Sequence, residues 1–200
     1  MKEIEEHCSC GHSHEGEASI RPAKKLKFSI IFIILALFVL KPFLYAQVFK
    51  RGCAYLACPL YDDAIRQYKK ALFLNRQSDD AWDWLGYAYK SKGDVRKAIG
   101  VYEEAIKVNP NNIKAHFGLG MIYLMNKNFD TAAGHFRYII AMGKEKETSS
   151  PLDIISYHHS ACNMLIACYE KMGEKDQMIR AARITLKLYP DDKKAKDLLR

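Results

Sequence analysis

Glycine and proline are scarce, at 11 and 6 of 200 residues, which excludes a collagen-like or linker-like chain. Six cysteines are too few for a disulfide-framework mini-protein. The sequence holds no Gly-rich phosphate loop, no nucleophile elbow and no H-E-x-x-H pair of helical metal ligands, so it points away from an enzyme and requires no cofactor. Charge of one sign is not concentrated either. The formal net charge of +8 comes from 31 Lys and Arg against 23 Asp and Glu, spread along the chain without the basic stripe that nucleic acid demands. What remains, 49% hydrophobic and 27% charged, is the composition of a folded domain with appendages.

The start of the chain changes character in three steps. Residues 1–20 form an acidic head, with Lys2 against Glu3, Glu5, Glu6, Glu15 and Glu17. Residues 21–27 form a basic collar of Arg21, Lys24, Lys25 and Lys27. An apolar run follows, Phe28 to Leu40, broken only by Ser29. As helix that run covers about 20 Å, short of the roughly 30 Å hydrocarbon core; extended to Val48 it reaches about 31 Å. Residues 28–48 are therefore expected to be a transmembrane anchor, with Lys41 snorkelling to the interface and Pro42 kinking the exit. A cleaved signal peptide fits less well, because Leu44-Tyr45-Ala46 places Leu where a small residue belongs. Four cationic residues on the amino side against Lys41, Lys50 and Arg51 on the other predict a single-pass protein with a cytoplasmic N-terminus and the bulk of the chain across the membrane.

Beyond the run the sequence repeats with a period of 34. In residues 79–112, Trp82, Leu85, Gly86, Tyr89, Ala98, Tyr102, Ala105 and Pro110 occupy positions 4, 7, 8, 11, 20, 24, 27 and 32. Stepping forward, residues 113–146 place Leu119, Gly120, Tyr123, Ala132 and Phe136 in the same register; stepping back, residues 45–78 place Gly52, Tyr55, Ala64, Tyr68 and Ala71. A degenerate unit, 159–192, keeps Leu165, Tyr169 and Pro190 after an offset of twelve residues. This pattern resembles the tetratricopeptide repeat, TPR. The resemblance implies an all-α solenoid of about four helix-turn-helix units over 45–192, in which small residues let the two helices of a unit approach. Asp94 would cap the start of a unit's second helix and Pro110 would end that helix. One hairpin cannot bury its apolar face alone, so the units must stack. Residues 193–200 are expected to be a terminal capping helix. Thr148-Ser149-Ser150-Pro151 signals a helix start, which makes the fourth unit's first helix, out to Met172, about two turns longer than standard.

The same resemblance implies a concave wall lined by first-helix side chains. Its candidate partner-binding residues here are Phe49, Asp83, Tyr87, Lys90, Lys114, Phe117, Met121, Leu124 and Met125, a largely apolar trough with a patch of charge. Relatives that grip acidic chaperone tails carry Lys, Asn and Arg where this chain has Phe49, Cys53, Asp83 and Tyr87, which argues against that ligand. An amphipathic helix or apolar peptide of another protein suits the trough better; self-association is a further use of such a wall. In the competing reading, Phe49, Phe117 and Leu124 pack against the repeats' own neighbours or the anchor helix.

Two groups of metal-capable residues stand apart. His7, Cys8, Cys10, His12 and His14 supply soft and borderline donors for Zn, Cu or Ni, although the one-residue gap between Cys8 and Cys10 departs from structural zinc spacing. Incidental residues, or a thiol acylation site, are the alternative. Cys53, Cys58, Cys162 and Cys168 stand five and six residues apart on helices, out of disulfide reach, and are expected to pack as small hydrophobes. His158 and His159 point apart on a helix and are expected to be structural. The sequence thus predicts a membrane-anchored TPR scaffold that assembles other proteins at a bilayer, with a metal-handling accessory protein as the alternative.

Overall fold

The computed structural model describes the backbone of residues 23–143 and 151–200 and the side chains of residues 40–143 and 157–200. The acidic head, with His7, Cys8, Cys10, His12 and His14, lies outside the described residues. The chain divides into two units, Met1–Leu40 and Lys41–Arg200. In the first unit, the described backbone is the beginning of helix α1, Ala23–Ala57, which continues through Pro42.

The second unit is built from the end of α1 followed by α2 (Tyr61–Leu74), α3 (Asp79–Lys92), α4 (Val95–Val108), α5 (Ile113–Met125), α6 (Phe129–Met142), α7 (Pro151–Met172), α8 (Lys175–Leu188) and α9 (Lys193–Leu198). No strand occurs among the described residues. Alternate helices play two roles: α3, α5 and α7 open a hairpin and α4, α6 and α8 close it. Local chemistry explains where they start and stop. Ser78 and Asn112 accept from the backbone N–H of Ala81 and Ala115, and Asp192 does the same for Ala195 at α9. Asp94 stands at the N-cap of α4 as expected, yet its side chain makes no cap bond; its carboxylate pairs with Lys97 at 3.0 Å instead. The turn inside a hairpin needs a left-handed residue, supplied by Gly93 (φ 93°), Lys127 (φ 61°) and Gly173 (φ 75°).

The core consists of small residues facing large ones. Ala64, Ala98 and Ala132 are fully buried, as are Tyr68 and Phe136, with Tyr102 nearly so. A Cβ added at Gly52 would fall 2.7 Å from the Tyr68 ring, and one at Gly120 would fall 2.7 Å from Phe136. Only glycine lets these rings lie on the facing helix backbone. Adjacent hairpins share two apolar clusters, one running from Val48 to Ile122 and one from Ala132 to Ala195.

This packing bears directly on the expected anchor. Among the described residues, no helix is long and apolar enough to cross a membrane. That overturns the predicted single-pass location with a cytoplasmic N-terminus and the repeats on the far side. The physical reason is visible in the last turns of the proposed span: Val48 is buried in the first cluster, and Tyr45, Phe49 and Cys53 pack against it. Residues 45–57 thus serve as the opening helix of the stack. The side chains of residues 28–39 lie outside the described residues.

The cysteine expectation divides. Cys162 and Cys168 are buried and unpaired, whereas Cys53 is half-buried and Cys58 is exposed at the end of α1. His158 is buried, and its ring bonds Tyr189 Oη at 2.8 Å and the Ile140 carbonyl at 3.0 Å. His159 meets the Asp192 carboxylate at 2.6 Å. Both are occupied in packing α7 to its neighbours. No group of three or more His, Cys, Asp or Glu side chains converges on a metal-sized site among the described residues.

Candidate docking trough on the inner helix wall

The opening helices form the inner wall because α3 contacts α5 and α5 contacts α7, whereas no contact of that extent joins α4 to α6 or α6 to α8. The closing helices therefore splay outward and the opening helices line the concave side.

At the centre of this wall the structure gathers charged and aromatic groups from three helices. Asp83, Tyr87 and Lys90 come from α3, Lys114 and Phe117 from α5, and Tyr157 from α7. The Tyr157 hydroxyl donates to Asp83 Oδ2 at 3.5 Å, and the Tyr102 hydroxyl donates to the Asp83 carbonyl at 3.4 Å. Lys114 is ion-paired with Asp80, one turn away on α3, and its Nζ lies 5.9 Å from the Tyr157 ring centre. Lys90 Nζ lies 5.0 Å from the Tyr87 ring centre. Trp84 and Tyr87 meet edge to face at 5.8 Å and are 37% and 42% exposed.

Asp83 is the electrostatic focus. Burial in the trough floor pushes its carboxyl up to about 6, Asp80 adds to the rise, and Lys114, the Tyr157 hydroxyl and Lys90 oppose it. The residue as a whole is half-buried, and the raised value shows that the two lysines do not fully compensate the burial of its charge.

The other candidate residues are placed differently. Phe49 stacks on Tyr45 at 5.7 Å and meets Tyr68 edge to face at 5.7 Å. Phe117 packs edge to face on Phe136 at 5.9 Å and on Tyr157 at 5.2 Å, while Met121 and Leu124 pack against the C-terminal cluster. Met125, at the end of α5, is 66% exposed. The expected apolar trough is thus largely used up in self-packing, and the open surface is aromatic and charged. Sequence reasoning missed Tyr157 and Trp84. Tyr157 lies two residues before the fourth unit as drawn; the long helix signalled by Pro151 was the clue that it could reach the trough.

Family models described as TPR repeat and Tetratricopeptide repeat match residues 86–127 and 164–192. Among curated proteins, the chain is 29% identical over 127 residues to BBSome complex member BBS4 of Bos taurus, a match covering 57% of this chain and 24% of that protein. It is 24% identical over 134 residues to Protein O-mannosyl-transferase TMTC3 of Mus musculus, covering 64% of this chain and 14% of that one. The chain therefore spans a quarter or less of the length of these relatives. Among solved structures it resembles MamA, with a TM-score of 0.59 at 22% identity over 78% of each chain, and MamA residues 41 to the end from Desulfovibrio magneticus RS-1, with a TM-score of 0.57 at 19% identity over 78% and 79%. At this identity the likeness concerns the fold. Among its described residues the second unit is a stack of helical hairpins, and residues 86–127 and 164–192 of it match tetratricopeptide repeats.

Proposed function

We propose that the repeat unit is a non-catalytic scaffold that docks a segment of another protein along the inner wall, with Asp83, Tyr87, Lys90 and Lys114 as the central contacts and Met125 at one edge. The observation that carries this reading is Asp83. A carboxylate held at about 6 by burial, beside two exposed aromatic rings, gains most from a partner that brings a hydrogen-bond donor. The docked segment would then be amphipathic, with an amide, ammonium or guanidinium for Asp83 and an apolar side chain against Trp84 and Tyr87. TPR homology supports the scaffold role, because stacked hairpins present one extended face rather than an enclosed reaction site.

The test uses side chains that the core does not need. Tyr87→Ala with Lys90→Glu should abolish co-purification of partners while leaving the melting curve unchanged. Retention of the same partners would remove the inner wall from consideration.

A further inference from the structure

On the side of the closing helices, α6, α7 and α8 line a half-open cavity of about 400 Å³. That size lies within the roughly 300–1,000 Å³ of small-molecule sites. Its interior is aliphatic, with Ile140 from α6, Leu165 from α7 and Ala181 and Ile184 from α8. Ile184 is 47% exposed at the mouth. Gln177 and Tyr169 also line it; of the polar groups, Thr185 Oγ1 donates to the Ala181 carbonyl at 2.9 Å, and burial keeps the Cys162 thiol protonated, its pKa pushed up to about 11. The charged side chains lining the cavity are Arg137 and Arg180. Both are exposed and make no ion pair or hydrogen bond among the described residues.

We propose that this cavity binds a medium-chain carboxylate, its alkyl chain among Ile140, Leu165, Ala181 and Ile184 and its head group held by Arg137 and Arg180. The charge fits: two guanidiniums without an acidic neighbour in the lining suit one anionic head. The walls decide between an alkyl chain and a peptide. All three are helices whose backbone groups are already bonded within the helix, so an extended peptide entering the cavity would bury its own N–H and C=O groups unpaired. An alkyl chain carries no such groups and gains about 0.8 kcal/mol per buried methylene.

The full chain is titrated calorimetrically with decanoate below its micellar concentration, with decanol as the uncharged probe of equal length. Saturable one-to-one binding is expected, with decanoate at least about tenfold tighter than decanol. Arg137→Gln with Arg180→Gln should reduce decanoate to the affinity of decanol. Ile184→Trp, at a partly exposed position that folding tolerates, should weaken both ligands. Circular dichroism checks that each variant keeps its helicity. Absence of saturable binding, equal affinity for the two probes, or decanoate binding unchanged in either variant overturns the proposal.

Discussion

The Tyr102 ring lies against Gly86, and a side chain on that glycine would sit inside the ring's van der Waals surface. The same ring also lies against Gly118 of the next hairpin, so a single phenol joins two repeats. The sixteen-residue spacing recurs as Gly52 with Tyr68 and Gly120 with Phe136. In the last hairpin the equivalent positions hold Ile166 and Ala182, both fully buried, with the large and small partners exchanged. The volume between the two helices is filled either way.

Gly86→Ala should therefore destabilise the unit by about 1–3 kcal/mol through overpacking. Gly100→Ala, on α4 with open space around it, should stabilise by about 0.5–1 kcal/mol, the ordinary helix-propensity gain. Urea melts of the two variants read the contrast. Equal effects would show that Tyr102 does not rest on Gly86.

Lys127 occupies, at φ 61°, the turn position that Gly93 and Gly173 hold in other hairpins. A side chain there costs of order 1 kcal/mol, more than the entropy that glycine adds to the unfolded chain. Lys127→Gly should raise the melting temperature by a few degrees, and a lowered one would show that the turn is not strained.

Two of the titrations that bear on acid stability oppose each other. The raised Asp83 carboxyl binds a proton more tightly folded than unfolded. Its contribution is fully present below the unfolded value near 4 and is lost as pH rises through about 6. His135 behaves oppositely. Its Nδ1–H donates to His116 Nδ1 at 3.1 Å, because the Pro110 carbonyl accepts from His116 Nε2 at 3.1 Å. Burial, and then the neighbouring His116, hold His135 down to about 4. Its contribution is present above about 6.5 and is lost as pH falls through 4. As pH falls from 7 to 4, the melting temperature of Asp83→Asn should drop relative to the parent and that of His135→Gln should gain on it. Identical profiles for the three would contradict these assignments.

The regular hairpins were legible because Gly86, Tyr102 and Pro110 are read directly from a 34-residue pattern. The fourth was dim because exchanging ring and glycine for Ile166 and Ala182 preserves volume while erasing the signature. The inner wall was legible as a set of positions and illegible as a surface. Whether Phe117 or Leu124 faces solvent depends on Phe136 and α7, and the bond between Tyr157 and Asp83 joins residues 74 apart. The last part of the expected anchor misled for a related reason: Val48 and Phe49 are as apolar as lipid requires, and equally as apolar as a helical core requires.

The most direct test of the scaffold account places a photo-crosslinking side chain at Tyr87, in the trough, and separately at Phe73, 91% exposed on α2. The account predicts that discrete protein partners are captured from Tyr87, that Asp83→Ala suppresses the capture, and that Phe73 yields none of the same species. Capture of the same partners from Phe73, or capture from Tyr87 that is indifferent to Asp83, would contradict it.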